Sequence, residues 1–267
     1  MVPSALAQLV NYGSFHAAVW TQTSASPSFD RSNASHFYAA RIEVTDPGDA
    51  TAATLTAGAT MVNLSPTSTP GELLGYSALY APGNDGLFDT DFPPAITYSF
   101  SITGGTLMGQ AGGISHPDPL PWPDTFPVFD NYDSLSAVDA NNPTFSWNSW
   151  VGAPSYPSAI FFQVWDGATP VWSTILSTGT TSYTLPPGVL SASSVYTAEL
   201  IFSSRLLGTV GSWSSDPFAP GLASYDFRTQ VEFTAVPEPG AFATLAGLGL
   251  ISFALLHRRK AKCPVGS

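Results

Sequence analysis

Four carboxylate or carboxamide side chains fall within eight residues in the stretch Gly83-Asn84-Asp85-Gly86-Leu87-Phe88-Asp89-Thr90-Asp91. Calcium selects carboxylate and carbonyl oxygens, so Asn84, Asp85, Asp89 and Asp91 on a glycine-containing loop form a candidate calcium site. The spacing fits no EF-hand, and the glutamate that closes such loops is missing. Asp and Asn beside glycine also build ordinary β-turns, and the solvated turn is the preferred reading. Asp85, Asp89 and Asp91 could pair for glycoside hydrolysis, but that reaction needs one acid of raised pKa in an enclosed cleft, and a turn encloses little. His16, His36, His116 and His257 have no companion histidine or cysteine at metal spacing. The chain has neither a Gly-x-Ser-x-Gly elbow nor a phosphate-cradling glycine loop. A non-enzymatic protein without cofactor is expected.

Aromatic side chains offer binding chemistry instead. Along Ile160-Phe161-Phe162-Gln163-Val164-Trp165, strand alternation sends Ile160, Phe162 and Val164 to one face and Phe161, Gln163 and Trp165 to the other. If the first set is core, Phe161 and Trp165 stand on the outer face, near Trp150 or Trp172, where they could stack on sugar rings. Cover by a loop or by the first domain is the plainer alternative.

The elements that would carry these residues are β-strands. Only 10% of the residues are charged, too few for surface helices laced with ion pairs, and 24 prolines and 23 glycines punctuate the chain too often for long helices. Ile96 to Thr103 alternates strictly between an apolar and a hydroxyl face, and its expected partners include His36–Val44, Ala52–Ala57 and Thr60–Leu64. Residues 9–115 are thus expected to form a first β-sandwich. His116 to Pro127 holds five prolines in twelve residues, which predicts a stiff, extended linker. Residues 128–235 form a second sandwich, with Phe145-Ser146-Trp147, Ile160–Trp165 and Ser182–Leu185 as strands. The expected fold class is all-β, two tandem antiparallel β-sandwich domains followed by a single C-terminal transmembrane helix.

In the second segment, Trp147, then Leu190 six residues before Tyr196, then the alternating Tyr196, Ala198, Leu200 and Phe202 resemble the fibronectin type III pattern. The resemblance spans roughly residues 130 to 234. It implies that Tyr196 buries its ring while its hydroxyl bonds backbone where the chain crosses between sheets.

The C-terminus carries an address. Ala241 to Leu256 contains no charge, and at 1.5 Å per residue a helix over 241–256 reaches about 24 Å, short of the ~30 Å hydrocarbon core. Pro237 and Pro239 precede it, and His257-Arg258-Arg259-Lys260 follows. Basic residues beside an apolar span stay in the cytoplasm, so Arg258, Arg259 and Lys260 act as a membrane stop and the tail 263–267 lies inside.

Val236-Pro237-Glu238-Pro239, a short apolar span and an Arg-Arg-Lys cluster resemble the PEP-CTERM sorting signal of exported proteins in exopolysaccharide-producing Gram-negative bacteria. The resemblance covers residues 236–262. It implies processing near Pro237-Glu238-Pro239 by an exosortase, a membrane-embedded cysteine transpeptidase, after transient inner-membrane anchoring. The destination is then the cell surface or extracellular matrix, with exopolysaccharide as a possible partner.

Charge and cysteine usage agree. Ahead of Val236 stand four arginines, Arg31, Arg41, Arg205 and Arg228, and eighteen acids, a net charge of −14. Such a body repels nucleic acid. The single cysteine, Cys263, rules out an intramolecular disulfide. Residues 1–8 end in Ala5-Leu6-Ala7 before Gln8, like a signal-peptide cleavage region, so codons for a charged and apolar segment are expected upstream of Met1. Two functions remain beside the matrix protein: a carbohydrate-binding module, and a cryptic glycoside hydrolase.

Overall fold

The computed structural model describes residues 9–46, 48–67, 73–207 and 221–237. The first seven strands are β1 (Leu9–Thr21), β2 (Ser35–Val44), β3 (Ala52–Ala57), β4 (Thr60–Pro66), β5 (Leu73–Tyr80), β6 (Thr97–Gly104) and β7 (Ala111–Ser115). They are followed by β8 (Val138–Asp139), β9 (Thr144–Ser146), β10 (Ser158–Asp166), β11 (Thr169–Leu176), β12 (Ser182–Thr184), β13 (Val195–Leu207) and β14 (Gly221–Val236). A short helix, α1 (Asp85–Asp91), interrupts the β pattern. The all-β class expected from composition is what the described residues show.

Twelve strands form one sheet in the order β11-β10-β13-β14-β1-β2-β5-β4-β3-β6-β7, with β8 on the end of β14, while β9 and β12 make a separate pair. Pairing is antiparallel except at β14, which runs parallel to β1 from Tyr12↔Gly221 to Thr21↔Gln230 and parallel to β8 at Ala235↔Val138. The expectation of purely antiparallel sheets is corrected at this strand: its 16 residues give it length enough to serve β1 and β8 as well as β13. The chain segments 9–115 and 128–235 are thereby joined edge to edge.

Two cores follow from that path. In the first, β4 hands the sheet from β5 to β3, so that β6 faces β1 and β2 across the interior. Tyr98, Phe100 and Ile102 of β6 are buried, as their alternation requires, with the Phe100 ring 5.2 Å from that of Tyr12. The hydrogen-bonded partners of β6 are β3 and β7; β2 lies across the core from it rather than beside it. The second core packs Phe145 of β9 and the adjacent Trp147 over β10, with Phe145 5.0 Å and Trp147 5.7 Å from Phe162. Phe145-Ser146-Trp147 therefore faces Ile160–Trp165 across this core, and its neighbour is β12. Tyr196 is buried, and its hydroxyl accepts the Ser191 N–H at 2.9 Å, which pins the turn entering β13.

Residues 116–127 contain no helix or strand, yet their side chains pack on the sheet. Trp122 and Phe126 both stack on Phe227 of β14, at 5.4 and 4.4 Å, and join Trp20 in a third apolar cluster between the two cores. Among the described residues no helix is long and apolar enough to cross a membrane. The signal remnant 1–8, Glu238, Pro239, the span 241–256, the basic cluster Arg258-Arg259-Lys260 and the tail 263–267 lie outside the described residues.

Candidate functional site

The acidic stretch is helical, which corrects the loop reading. Phe88 is fully buried against His36, Tyr80 and Phe92, and this packing holds a seven-residue helix that its own propensity would not sustain. Two of the four oxygen donors are engaged by other side chains. Asp89 takes a bidentate pair from Arg31, with Nη1 donating to Oδ2 at 3.0 Å and Nη2 to Oδ1. Asp91 accepts the Tyr80 hydroxyl at 2.8 Å, and Asn84 sits at the helix N-cap without a side-chain cap bond. Among the described residues no group of three or more His, Cys, Asp or Glu is placed to hold a metal ion.

Two of the histidines meet where their spacing gave no hint. His16 and His116 lie 5.4 Å apart ring to ring, inside a cage formed with Tyr38, Tyr98 and Tyr225. Nδ1 of His116 shares a hydrogen bond with the Tyr225 hydroxyl. Burial lowers the His116 pKa to about 3. Burial, then the neighbouring His116 and Arg31, push His16 well below its ordinary value. Both imidazoles are therefore neutral at physiological pH and belong to the core. His36 donates Nε2–H to the Arg31 carbonyl at 3.0 Å.

The aromatic residues of β10 lead to the surface. Ile160, Phe162 and Val164 are buried, and Phe161, Gln163 and Trp165 are half-buried on the opposite face. Trp150 and Trp172 are not their companions. Trp150 stacks on Phe202 at 4.8 Å in the second core and donates Nε1–H to Asp124 at 3.0 Å, while Trp172 lies 6.4 Å from Tyr183 against the same core.

What shares the face of Phe161 is set by register. Phe161 pairs with Ile201 of β13, and Ile201 with Arg228 of β14. Two rows further on the same face, Arg205 pairs with Ser224 and Ser224 with Phe15 of β1. In the row beyond, Gly13 pairs with Arg41 of β2. Three of the four arginines ahead of Val236 thus gather on one sheet face, along a trough of about 300 Å³ lined by Phe15, Arg41, Phe161, Arg205, Ser224 and Arg228. It continues past Phe15 and Arg41 toward Tyr76 of β5 as a second depression of about 490 Å³, and on the other side past Arg228 toward Trp165.

Electrostatics differ along the trough. Arg228 donates to Asp226 at 2.7 Å; burial opposes its charge, but Asp226 and Glu199 outweigh that and raise its pKa. Arg41 and Arg205 have aromatic neighbours instead. The Arg41 guanidinium lies 4.8 Å above the Phe15 ring and that of Arg205 4.9 Å above Phe161. Among the described residues neither has a carboxylate within ion-pair distance. Arg41, Arg205 and Phe15 carry no local sequence signal, because three separate strands deliver them, Arg205 from far along the chain.

Residues 235–260 match the family model of the PEP-CTERM protein-sorting motif. The chain therefore carries a PEP-CTERM sorting signal, the mark of an exported protein sorted through an exosortase. The signal begins where β14 ends: Val236 accepts the Ala140 N–H at 2.9 Å, and Pro237 follows outside the strand. Comparison with curated proteins finds no match. A solved structure from work on host cell surface retention of a 1.5-MDa bacterial ice-binding adhesin is similar at 12% identity, over 85% of this chain and 65% of its own, with a TM-score of 0.23. The chain thus spans about 65% of the length of that structure.

Proposed function

We propose that the chain is an exported, non-enzymatic cell-surface or extracellular-matrix protein, associated with exopolysaccharide and released from a transient inner-membrane anchor by cleavage at Pro237-Glu238-Pro239. The observation that carries this reading is the sorting motif at residues 235–260, set directly behind the last strand of the folded body. A body of net charge −14 suits an extracellular setting without nucleic acid. The non-enzymatic reading draws on the engagement of Asp89 by Arg31 and of Asp91 by Tyr80, which leaves neither free for the paired carboxylate work of a glycoside hydrolase. Mass spectrometry of the protein from its native cells tests the fate of the signal. Loss of residues 240–267 is expected, together with accumulation of uncut protein when Pro237, Glu238 and Pro239 are replaced by alanine. A mature protein that retains residues 240–267 is a bitopic membrane protein and overturns the reading.

The trough favours a second role in the same setting, that of a carbohydrate-binding module. Phe15, Phe161 and Trp165 lie half-buried on one sheet face with Gln163 and Ser203 near them, a mixture of rings and polar groups suited to stacking on sugars and bonding their hydroxyls. The fibronectin type III-like character of the second segment is part of this proposal, supported by the bond from Ser191 N–H to the Tyr196 hydroxyl.

A further inference from the structure

We infer that the trough selects carboxylate-bearing sugars: successive hexuronate units of one chain present their carboxylates to Arg41 and to Arg205, beside Phe15 and Phe161. This rests on the glycan-binding reading and adds the charge of the ligand. Each guanidinium lies over an aromatic ring and has no carboxylate partner among the described residues, and its planar fork of N–H groups matches a carboxylate in bidentate fashion. Arg228 is already neutralised by Asp226, so the uncompensated positive charge of the trough resides on Arg41 and Arg205.

Ser224 supplies an independent observation. It lies in register between Phe15 and Arg205, it lines the trough while only 4% exposed, and its buried hydroxyl has no hydrogen-bond partner. A buried hydroxyl left unpaired costs about 1–3 kcal/mol, which a ligand oxygen at this position would recover. The topology favours a sugar over an extended peptide. Strands β13, β14, β1 and β2 are hydrogen-bonded on both edges, so the face offers no main-chain partners for strand addition, only rings, hydroxyls and guanidiniums. The acidic body does not cancel this. At physiological ionic strength charges beyond about 8 Å are screened, while a carboxylate seated in the trough meets the arginines directly.

The test is titration calorimetry of the full chain in detergent with oligomers of galacturonate, glucuronate, mannuronate and guluronate, their methyl esters, neutral dextran and poly-glutamate. At least one uronate oligomer is expected to bind. Its methyl ester, and the variants Arg41→Ala and Arg205→Ala, should each weaken binding about tenfold or more, the scale of one lost charge-assisted contact. Arg205→Lys, which keeps the charge but loses the fork, should recover only part, and unchanged melting temperatures show that the variants fold. Esters binding as well as acids, with the arginine variants unaffected, overturn the charge selection and leave the glycan reading standing. Poly-glutamate binding as well as the uronates overturns the assignment to a sugar. No binding of any glycan ends both readings.

Discussion

The carboxamide of Gln22 grips the backbone of Phe129 from both sides. Its Nε2–H donates to the Phe129 carbonyl at 3.0 Å, and its Oε1 accepts the Phe129 N–H at 2.8 Å, across 107 residues of chain. Gln22 is 2% exposed, so it acts as a strand edge made from a side chain, binding the end of β1 to the start of the second segment. Gln22→Ala leaves both Phe129 groups buried and unpaired, which costs about 1–3 kcal/mol for each such group. Urea denaturation should show the lowered midpoint. If the two cores unfold together, the loss appears in a single transition; two transitions separated further by the variant would show that Gln22 couples cores that can unfold in turn.

Stability should fall on mild acidification. His116 titrates near 3 in the folded protein and near its ordinary 6.5 when unfolded, so between these values the unfolded chain takes up a proton that the native state refuses. Its contribution is complete above pH 6.5 and is lost below it at about 1.4 kcal/mol per pH unit. His16 is displaced in the same direction and steepens the slope. Denaturation between pH 7.5 and 5, above the range of ordinary carboxylates, should show this fall, and His116→Phe should make it shallower. A profile with no slope in that window would mean that neither imidazole is shielded.

Tyr196→Phe keeps the ring in the second core and removes the acceptor for the Ser191 N–H. A net loss of about 0.5–1.5 kcal/mol is expected, typical of one neutral hydrogen bond. Thermal denaturation measures it. Wild-type stability in the variant would show that water serves Ser191 as well as the phenol does.

Strands with one buried and one open face were legible in the sequence, because alternation is a local property. Ala52–Ala57 appears with the bounds expected of it, and the Ile96–Thr103 run is offset by one residue. Strand β1 has no such signature, because Tyr12, Gly13, Ser14, His16, Ala17 and Ala18 are all buried, and a strand covered on both faces has no alternation to read. The helix at Asp85 has none either, because Phe88 decides it through contacts with residues distant in sequence. Phe161 and Trp165 could be placed on an outer face from β10 alone. Their arginine companions could not, since pairing between β1 and β14 brings together chain ends roughly two hundred residues apart.

That junction is tightly packed, and two glycines separate its demands from those of the helix. Gly13 faces Leu222 in register, and a methyl group added to it would lie 2.4 Å from the Leu222 carbonyl oxygen. The obstacle is backbone, held in turn by β13 through the Leu207↔Leu222 pair, so it cannot swing aside like the end of a side chain. Gly13→Ala should therefore cost at least the 1–3 kcal/mol typical of overpacking, and it should disturb the trough, because Gly13 also pairs with Arg41. Gly86 sits within α1 with nothing within 4 Å of an added methyl. Gly86→Ala should stabilise the protein by about 0.5–1 kcal/mol, since alanine gives up less backbone freedom on entering a helix. Chemical denaturation of both variants reads opposite signs if β1 lies against β14 in this register. A neutral Gly13→Ala would mean that the two strands stand further apart, and the shared sheet that gathers Phe15, Arg41 and Arg205 on one face would fall with it.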